Sequence, residues 1–291
     1  MNDLKELLRE KKIYPISIEQ KGKVIIIEEK DKKIVIKKNN NNYDIYKYLL
    51  SRRFDAFPKI YSNIHDEDEI MEYIDNLFIN KEQRINDLLI LLAELHLKTS
   101  YDKELELNEI ENIYAEIKKQ IIDAKNYYLK INDIIDQTLF LSPSMYLIVR
   151  NISLIYLLLD KALQNLELWK EKITSNKQIT YALVYNNVSI DHLLINNRKY
   201  LISWDKAYFG MPIFDIENFY HKYYYYIGLK ECLNVYESIN KLNDSEKELL
   251  IIKLSLPNIV RITDNHFLDT KKIRCEIDYL KRIEEYYRSI D

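Results

Sequence analysis

Three short strand-like runs break a helical chain between residues 181 and 204, and no other feature narrows the possible folds so far. YALVY (181–185), LLIN (193–196) and YLISW (200–204) are rich in β-branched and aromatic residues, with Asn197-Arg198 as the tight connection. On either side, apolar residues recur at helical spacing. Upstream, Asn80 stands as an N-cap with Gln83 at the reciprocal capping position. Ile85, Leu88, Leu89, Leu92 and Leu95 follow as one stripe. A more charged helix is predicted over roughly 107–131. Ser142-Pro143 then opens a helix that is apolar around most of its circumference, which places it in the middle of a domain. Downstream, helices resume near Ile213, with a capping pair at Asn243 and Glu246 and a break at Pro257.

The first eighty residues read differently. Val24–Ile27 and Ile34–Ile36 are β-branched runs that form a hairpin around a solvated tip at Lys30–Lys33. In YDIYKYLLSRRF, Ile45, Tyr48, Leu49 and Arg52 recur at helical spacing, and Pro58 ends that helix. IYSNI and IMEYI, joined by an acidic turn at His65–Glu69, make a second hairpin. This gives a small antiparallel sheet with one helix. The expected organisation is a sheet lobe over 1–76 and a helical lobe over 77–291 that carries the β interlude at 181–204.

Composition excludes several chemistries. The chain has only three glycines, Gly22, Gly210 and Gly228, and no two are close together. That removes the G-x-G-x-x-G turn, the G-x-x-x-x-G-K-[ST] loop and the G-x-S-x-G elbow. A net charge of -3 supplies no basic excess for a polyanion, so no nucleic-acid partner is expected. The two cysteines, Cys232 and Cys275, make no disulfide framework, and five scattered histidines make no zinc site. Charges interrupt every apolar run, and no membrane insertion is expected. A soluble protein of the reducing cytoplasm fits these features. The runs Asn39–Asn42 and Tyr223–Tyr226 fit AT-rich coding, since A/T-only codons encode these residues.

The interlude carries the functional signal. Tyr185-Asn186-Asn187 is followed by His192-Leu193-Leu194, then Ile202-Ser203-Trp204-Asp205, then Gly210-Met211-Pro212-Ile213-Phe214-Asp215. This order and spacing resemble the aminoglycoside phosphotransferase and choline kinase family, including its bacterial spore-coat CotS-like branch. The family pattern is H-G-D-x-x-x-x-N-(I/L)-L, (I/L)-I-D-(W/F)-(E/D) and D-x-P-x-x-D. The resemblance extends to IVIKK, which makes Lys37 the counterpart of the nucleotide-binding lysine. It also extends to LLAELHLKTS, where His96 takes its usual helix position as a packed residue. It implies an α+β, two-lobed protein kinase-like fold: a small antiparallel sheet lobe and a large, mostly helical lobe.

The departures from that pattern decide the expected function. The resemblance implies that the first Asp takes the acceptor hydroxyl's proton, and Asn187 stands there; a carboxamide is no base. It implies a magnesium-binding Asn where His192 stands and the principal metal ligand where Ser203 stands. Asn186 replaces the glycine, and Tyr185 the leading His. Gly22 is read as preceding the first strand, with the small-lobe turn at Glu28–Lys33, so no glycine covers the phosphates. Lys37 is the remaining weak nucleotide-phosphate contact. Its αC-type glutamate partner is not evident, with only Asp44 available in that helix, and a solvated Lys37 is equally consistent.

These losses together predict a pseudokinase. Its role would be binding or scaffolding, with an unknown protein or small-molecule ligand in the interlobe cleft. No cofactor is expected, and a spore association is the family branch's implication. The alternative is an active small-molecule kinase using ATP and Mg. It would need Asp191 as a replacement base or Asp205 as a replacement metal ligand. On a continuing strand Asp205 would lie about 7 Å beyond Ser203. The Tyr-rich HKYYYYIGLK segment is read as an amphipathic helix with hydroxyls at its rim.

Overall fold

A computed structural model describes residues 2–38 and 40–290; Asn39, the first of the asparagine run, lies outside the described residues. The chain packs as two compact units, one formed by residues 1–99 with 185–208 and the other by 100–184 with 209–291. This division does not follow the change in secondary-structure character at residue 76. The first long helix and most of the β interlude pack with the N-terminal sheet.

The first unit is built on a four-stranded antiparallel sheet in the order β1 (Ser17–Lys21), β2 (Val24–Glu28), β3 (Lys33–Lys37), β4 (Glu69–Glu72). Alternation buries Ile25 and Ile27 of β2 and Ile34 and Ile36 of β3 on one face. Ile70 of β4 joins them, and Leu8 of helix α1 (Asn2–Glu10) closes that face with Ile13. Each such side chain contributes roughly 1.5–3 kcal/mol by leaving water. Helix α2 (Tyr43–Ser51) follows β3, and helix α3 (Lys81–Thr99) follows β4. Strands β7 (Leu193–Ile195) and β8 (Lys199–Leu201) form a separate two-stranded ribbon in the same unit.

Four expectations change here. Strand β1 precedes the hairpin read from sequence; SIEQK is exposed at every position, so it carries no buried alternation to reveal it. Gly22 therefore does not precede the first strand. It lies in the two-residue β1–β2 turn at φ +63°, with Lys21 and Val24 paired across it. The predicted IYSNI strand reduces to an isolated bridge between Ile60 and Met71, held by Tyr61 N–H to the Ile70 carbonyl at 2.8 Å. At the start of α3, Asn80 Oδ1 accepts from Glu82 N at 3.1 Å. Gln83 does not complete the box; its amide donates to Asp87 Oδ1 at 2.9 Å.

The second unit is helical. Helices α4 (Leu107–Asp136) and α5 (Pro143–Asn176) pack along each other, with Ser142 capping α5 and Pro143 at its first position. Leu158, Leu159, Ala162, Leu166 and Trp169 of α5 have no exposed surface, as a helix apolar on most sides requires. Helices α6 (Ile213–Tyr223), α7 (Leu229–Glu237), α8 (Asp244–Leu254) and α9 (His266–Ile290) complete the unit, and α8 and α9 both pack on α5. Strands β5 (Tyr101–Glu104), β6 (Gln178–Val184) and β9 (Tyr208–Gly210) form a three-stranded sheet in the order β5-β6-β9. The tyrosine run is not one helix: α6 stops at Tyr223, and Tyr224–Tyr226 form a turn before α7. Among the described residues no helix is long and apolar enough to cross a membrane.

Candidate functional site

The sequence-predicted residues 37, 187, 192 and 203 all fall in the first unit. Lys37 ends β3 and Glu69 begins β4, and the antiparallel register sets them opposite one another. Residues opposite in such a pair project to the same face. Lys37 Nζ accordingly lies 3.3 Å from Glu69 Oε1, with 12% of the lysine side chain exposed and none of the glutamate's. Glu69 Oε2 accepts from the Tyr46 hydroxyl at 3.1 Å and from Asn42 Nδ2 at 2.9 Å. Burial, followed by the charge of Glu69, pushes the Tyr46 phenol well above its ordinary range, so it remains a proton donor. Lys37 is therefore neither solvated nor partnered from the helix. Asp44 is exposed on α2, and the lysine's carboxylate comes from the neighbouring strand.

The interlude delivers its residues to the same lysine. After β8 the chain leaves the strand at Ile202, and Ser203 adopts a left-handed φ of +65°. For a residue with a Cβ this costs roughly 1–2 kcal/mol, and it persists where the surroundings determine it. Lys37 Nζ donates to Ser203 Oγ at 3.5 Å. Asn187 Nδ2 donates to the Ser203 carbonyl at 2.9 Å. His192 Nδ1 meets the Asn187 carbonyl at 2.8 Å; because a carbonyl only accepts, Nδ1 is the donor. Asn186, in the glycine position, has φ +54°, a conformation that asparagine tolerates better than most residues. Its amide donates to the Lys206 carbonyl at 3.3 Å.

Packing fixes this loop from behind. Trp204 is fully buried, donates Nε1–H to the Leu201 carbonyl at 3.0 Å, and meets Tyr185 edge-on at 5.0 Å. The Tyr185 hydroxyl donates to the Ile202 carbonyl. The residue in the leading-histidine position is thus a packing anchor. Arg84 of α3 donates to the carbonyls of Ile190 and Leu193 at 2.7 and 2.6 Å, clamping the single turn at Ile190–His192. His96 of α3 is fully buried within its helix face.

The two replacement carboxylates occupy different surroundings. Asp191 is exposed, accepts from the Ser189 hydroxyl at 3.1 Å, and lines a groove of about 460 Å³ with Leu77, Phe78, Lys81 and Arg84. Asp205 is exposed in a turn, and its charge is felt by the Tyr46 phenol. The strand does not continue past Leu201, so the 7 Å separation inferred for Asp205 from strand geometry does not apply. In the second unit, Asp215 lies fully buried in the first turn of α6.

The donor set does not fit magnesium, which calls for hard oxygen ligands with compensating charge. The three positions offer an amide whose N–H is bound to a carbonyl, an imidazole nitrogen, and a hydroxyl 3.5 Å from an ammonium. No group of three His, Cys, Asp or Glu side chains suited to a metal occurs among the described residues.

No protein-family model matches the chain, and no curated protein matches it by sequence. Solved structures do. An aminoglycoside phosphotransferase from Alicyclobacillus acidocaldarius aligns with a TM-score of 0.67 at 10% identity, over 94% of this chain and 92% of that one. The AMP-bound complex of a spectinomycin phosphotransferase aligns with a TM-score of 0.53 at 14% identity, over 96% and 97%. A choline kinase from Streptococcus pneumoniae aligns at 0.47 and 14% identity, over 99% and 98%. The chain has the α+β kinase-like fold of the aminoglycoside phosphotransferases, the fold expected from its motif order.

Sequence reasoning missed Glu69, Tyr46 and Asn42. Glu69 was assigned to the acidic turn, although the register of β3 with IMEYI would have set it opposite Lys37. Asn42 lies in a run that composition alone attributes to codon bias.

Proposed function

We propose that the chain is a pseudokinase of this fold, a binding or scaffold protein whose site holds a ligand without transferring phosphate. The observation that carries the reading is the engagement of Asn187, His192 and Ser203 with one another's backbone and with Lys37. Phosphoryl transfer depends on a positioned base and on charge neutralisation at the phosphates. A carboxamide donating its N–H groups to a carbonyl accepts no proton. An imidazole and a hydroxyl beside an ammonium clamp no metal. Lys37 supports the binding half of the proposal: it is a half-buried cation oriented by Glu69, with a hydroxyl beside it. The ligand class that suits it is an anion, a phosphate group included, bound without a metal. The two-residue turn at Gly22 offers too little backbone to wrap a triphosphate, in keeping with a reduced nucleotide site. A cytoplasmic setting suits the free Cys232 and Cys275, and a spore-coat role is part of the same proposal through the CotS-like resemblance.

A second reading has one specific observation in its favour. Asp205 is close enough for its charge to reach Tyr46 at the Lys37–Glu69 cluster. An active kinase would use Asp205 to hold Mg and Asp191 as base. ATP turnover separates the two readings. The wild-type chain and Asp205→Asn are expected to stay at the buffer background. The triple variant Asn187→Asp, His192→Asn, Ser203→Asp is expected to gain Mg-dependent turnover. Wild-type turnover that Asp205→Asn abolishes would establish the second reading.

A further inference from the structure

The helical unit contains a cavity of about 730 Å³ between the C-terminal end of α6, the segment after α8 and the first half of α9. Its size falls in the range of small-molecule sites. Its floor is aromatic and fixed. The His221 ring stacks on Tyr279 with centroids 4.5 Å apart and planes 23° apart, and Tyr224 meets Tyr279 edge-on at 5.4 Å. The Tyr279 hydroxyl donates to the Leu254 carbonyl at 2.7 Å, and the Tyr224 hydroxyl to the Cys275 carbonyl at 2.9 Å. Both rings are therefore held by their polar ends; Tyr279 is buried beneath His221, and the half-buried His221 and Tyr224 line the cavity.

Charge is distributed unevenly around that floor. One carboxylate, Glu276, lines the wall, oriented by Asn258 N–H at 2.7 Å and Asn258 Nδ2 at 3.1 Å. Burial pushes its pKa up to about 7, and burial together with the nearby Lys253 charge lowers His221 to about 4. At neutral pH His221 is thus uncharged and Glu276 is only partly ionised. Exposed Arg261, Lys271 and Lys272 also line the cavity, and no ion pair engages them among the described residues. Three exposed cations against one partly ionised carboxylate, around an aromatic floor, favour one kind of occupant.

We infer that this cavity binds a small aromatic anion, its ring against His221 and Tyr224 and its carboxylate or phosphate toward Arg261, Lys271 and Lys272. The site lies within the helical unit and owes nothing to Lys37 or to the interlude. It stands whether or not the kinase-like site transfers phosphate.

Isothermal titration of the full chain with phenyl phosphate, benzylamine and inorganic phosphate tests the inference. Phenyl phosphate is expected to bind with a Kd of about 1 mM or tighter, a modest demand for a ligand of its size. Benzylamine, with the charge reversed, and inorganic phosphate, without the ring, are each expected to bind at least about tenfold more weakly. Lys271→Glu with Lys272→Glu, both on the exposed surface, is expected to weaken phenyl phosphate at least about tenfold with an unchanged circular dichroism spectrum. The His221 ring protons are expected to shift on titration, as stacking in the cavity requires. Benzylamine binding as tightly as phenyl phosphate, inorganic phosphate moving the His221 signals as strongly as phenyl phosphate does, or phenyl phosphate failing to move them would each overturn the inference; phosphate bound at Lys37 leaves those signals in place.

Discussion

Glu69 has no exposed surface, yet it meets a lysine ammonium, a phenol and an amide. Removing one member of such a buried set leaves the others desolvated without compensation. Glu69→Ala is expected to cost about 3–5 kcal/mol in urea unfolding, the range for a broken buried ion pair. Tyr46→Phe removes one hydrogen bond and is expected to cost about 1–3 kcal/mol. The neighbouring asparagines carry similar roles. Asn41 Nδ2 donates to the carbonyls of Asn63 and Asp66 at 2.8 and 2.5 Å, and Asn42 Nδ2 reaches both Asn40 Oδ1 and Glu69. Codon bias explains why asparagine is abundant, but at 40–42 the side chains are built into the fold around Lys37. A composition argument treats a run as one object, whereas each amide here has its own acceptor.

Elements whose boundaries rest on local chemistry were legible in the sequence. Asn243 and Glu246 form a complete capping box on α8, with reciprocal bonds of 2.8 and 3.0 Å. Asn243→Ala is therefore expected to cost about 1 kcal/mol, the usual value of such a cap. Glu246→Ala is expected to cost more, since Glu246 is buried and its Oε1 also accepts from Thr180 N–H of β6 at 2.8 Å. Both are read from denaturant midpoints. What sequence did not disclose were elements defined by partners far along the chain. Strand β1 has no buried face of its own, and Glu69 gains its role only from the β3–β4 register. Helices α6 and α9 also set a pH response. His221 is held neutral in the folded chain, so its contribution to stability is lost as pH falls from about 6.5 through about 4. Glu276 is held protonated, so its contribution is lost as pH rises from about 4.5 through about 7. Stability measured against pH is expected to flatten on the acid side in His221→Gln and on the alkaline side in Glu276→Gln.

At the scale of the whole molecule, the chain shares a fold with an aminoglycoside phosphotransferase at 10% identity, so few individual residues are needed to specify the architecture. The site in this chain is set by structural features: the β3–β4 register that pairs Lys37 with Glu69, the left-handed backbone at Asn186 and Ser203, and the buried Trp204. On the proposed reading, Asn187, His192 and Ser203 stand where a base and metal ligands would act, and they engage one another's backbone instead. A ligand that binds only the folded chain raises its melting temperature in proportion to the logarithm of its concentration over Kd. The central claim is that no metal is clamped here, so any stabilisation by ATP must be independent of magnesium. Thermal unfolding with ATP, measured with and without Mg, tests this most directly. The account predicts melting temperatures that agree within about 1 °C; an Mg-dependent rise of about 4 °C or more, near 1 kcal/mol or above for a chain this size, would contradict it.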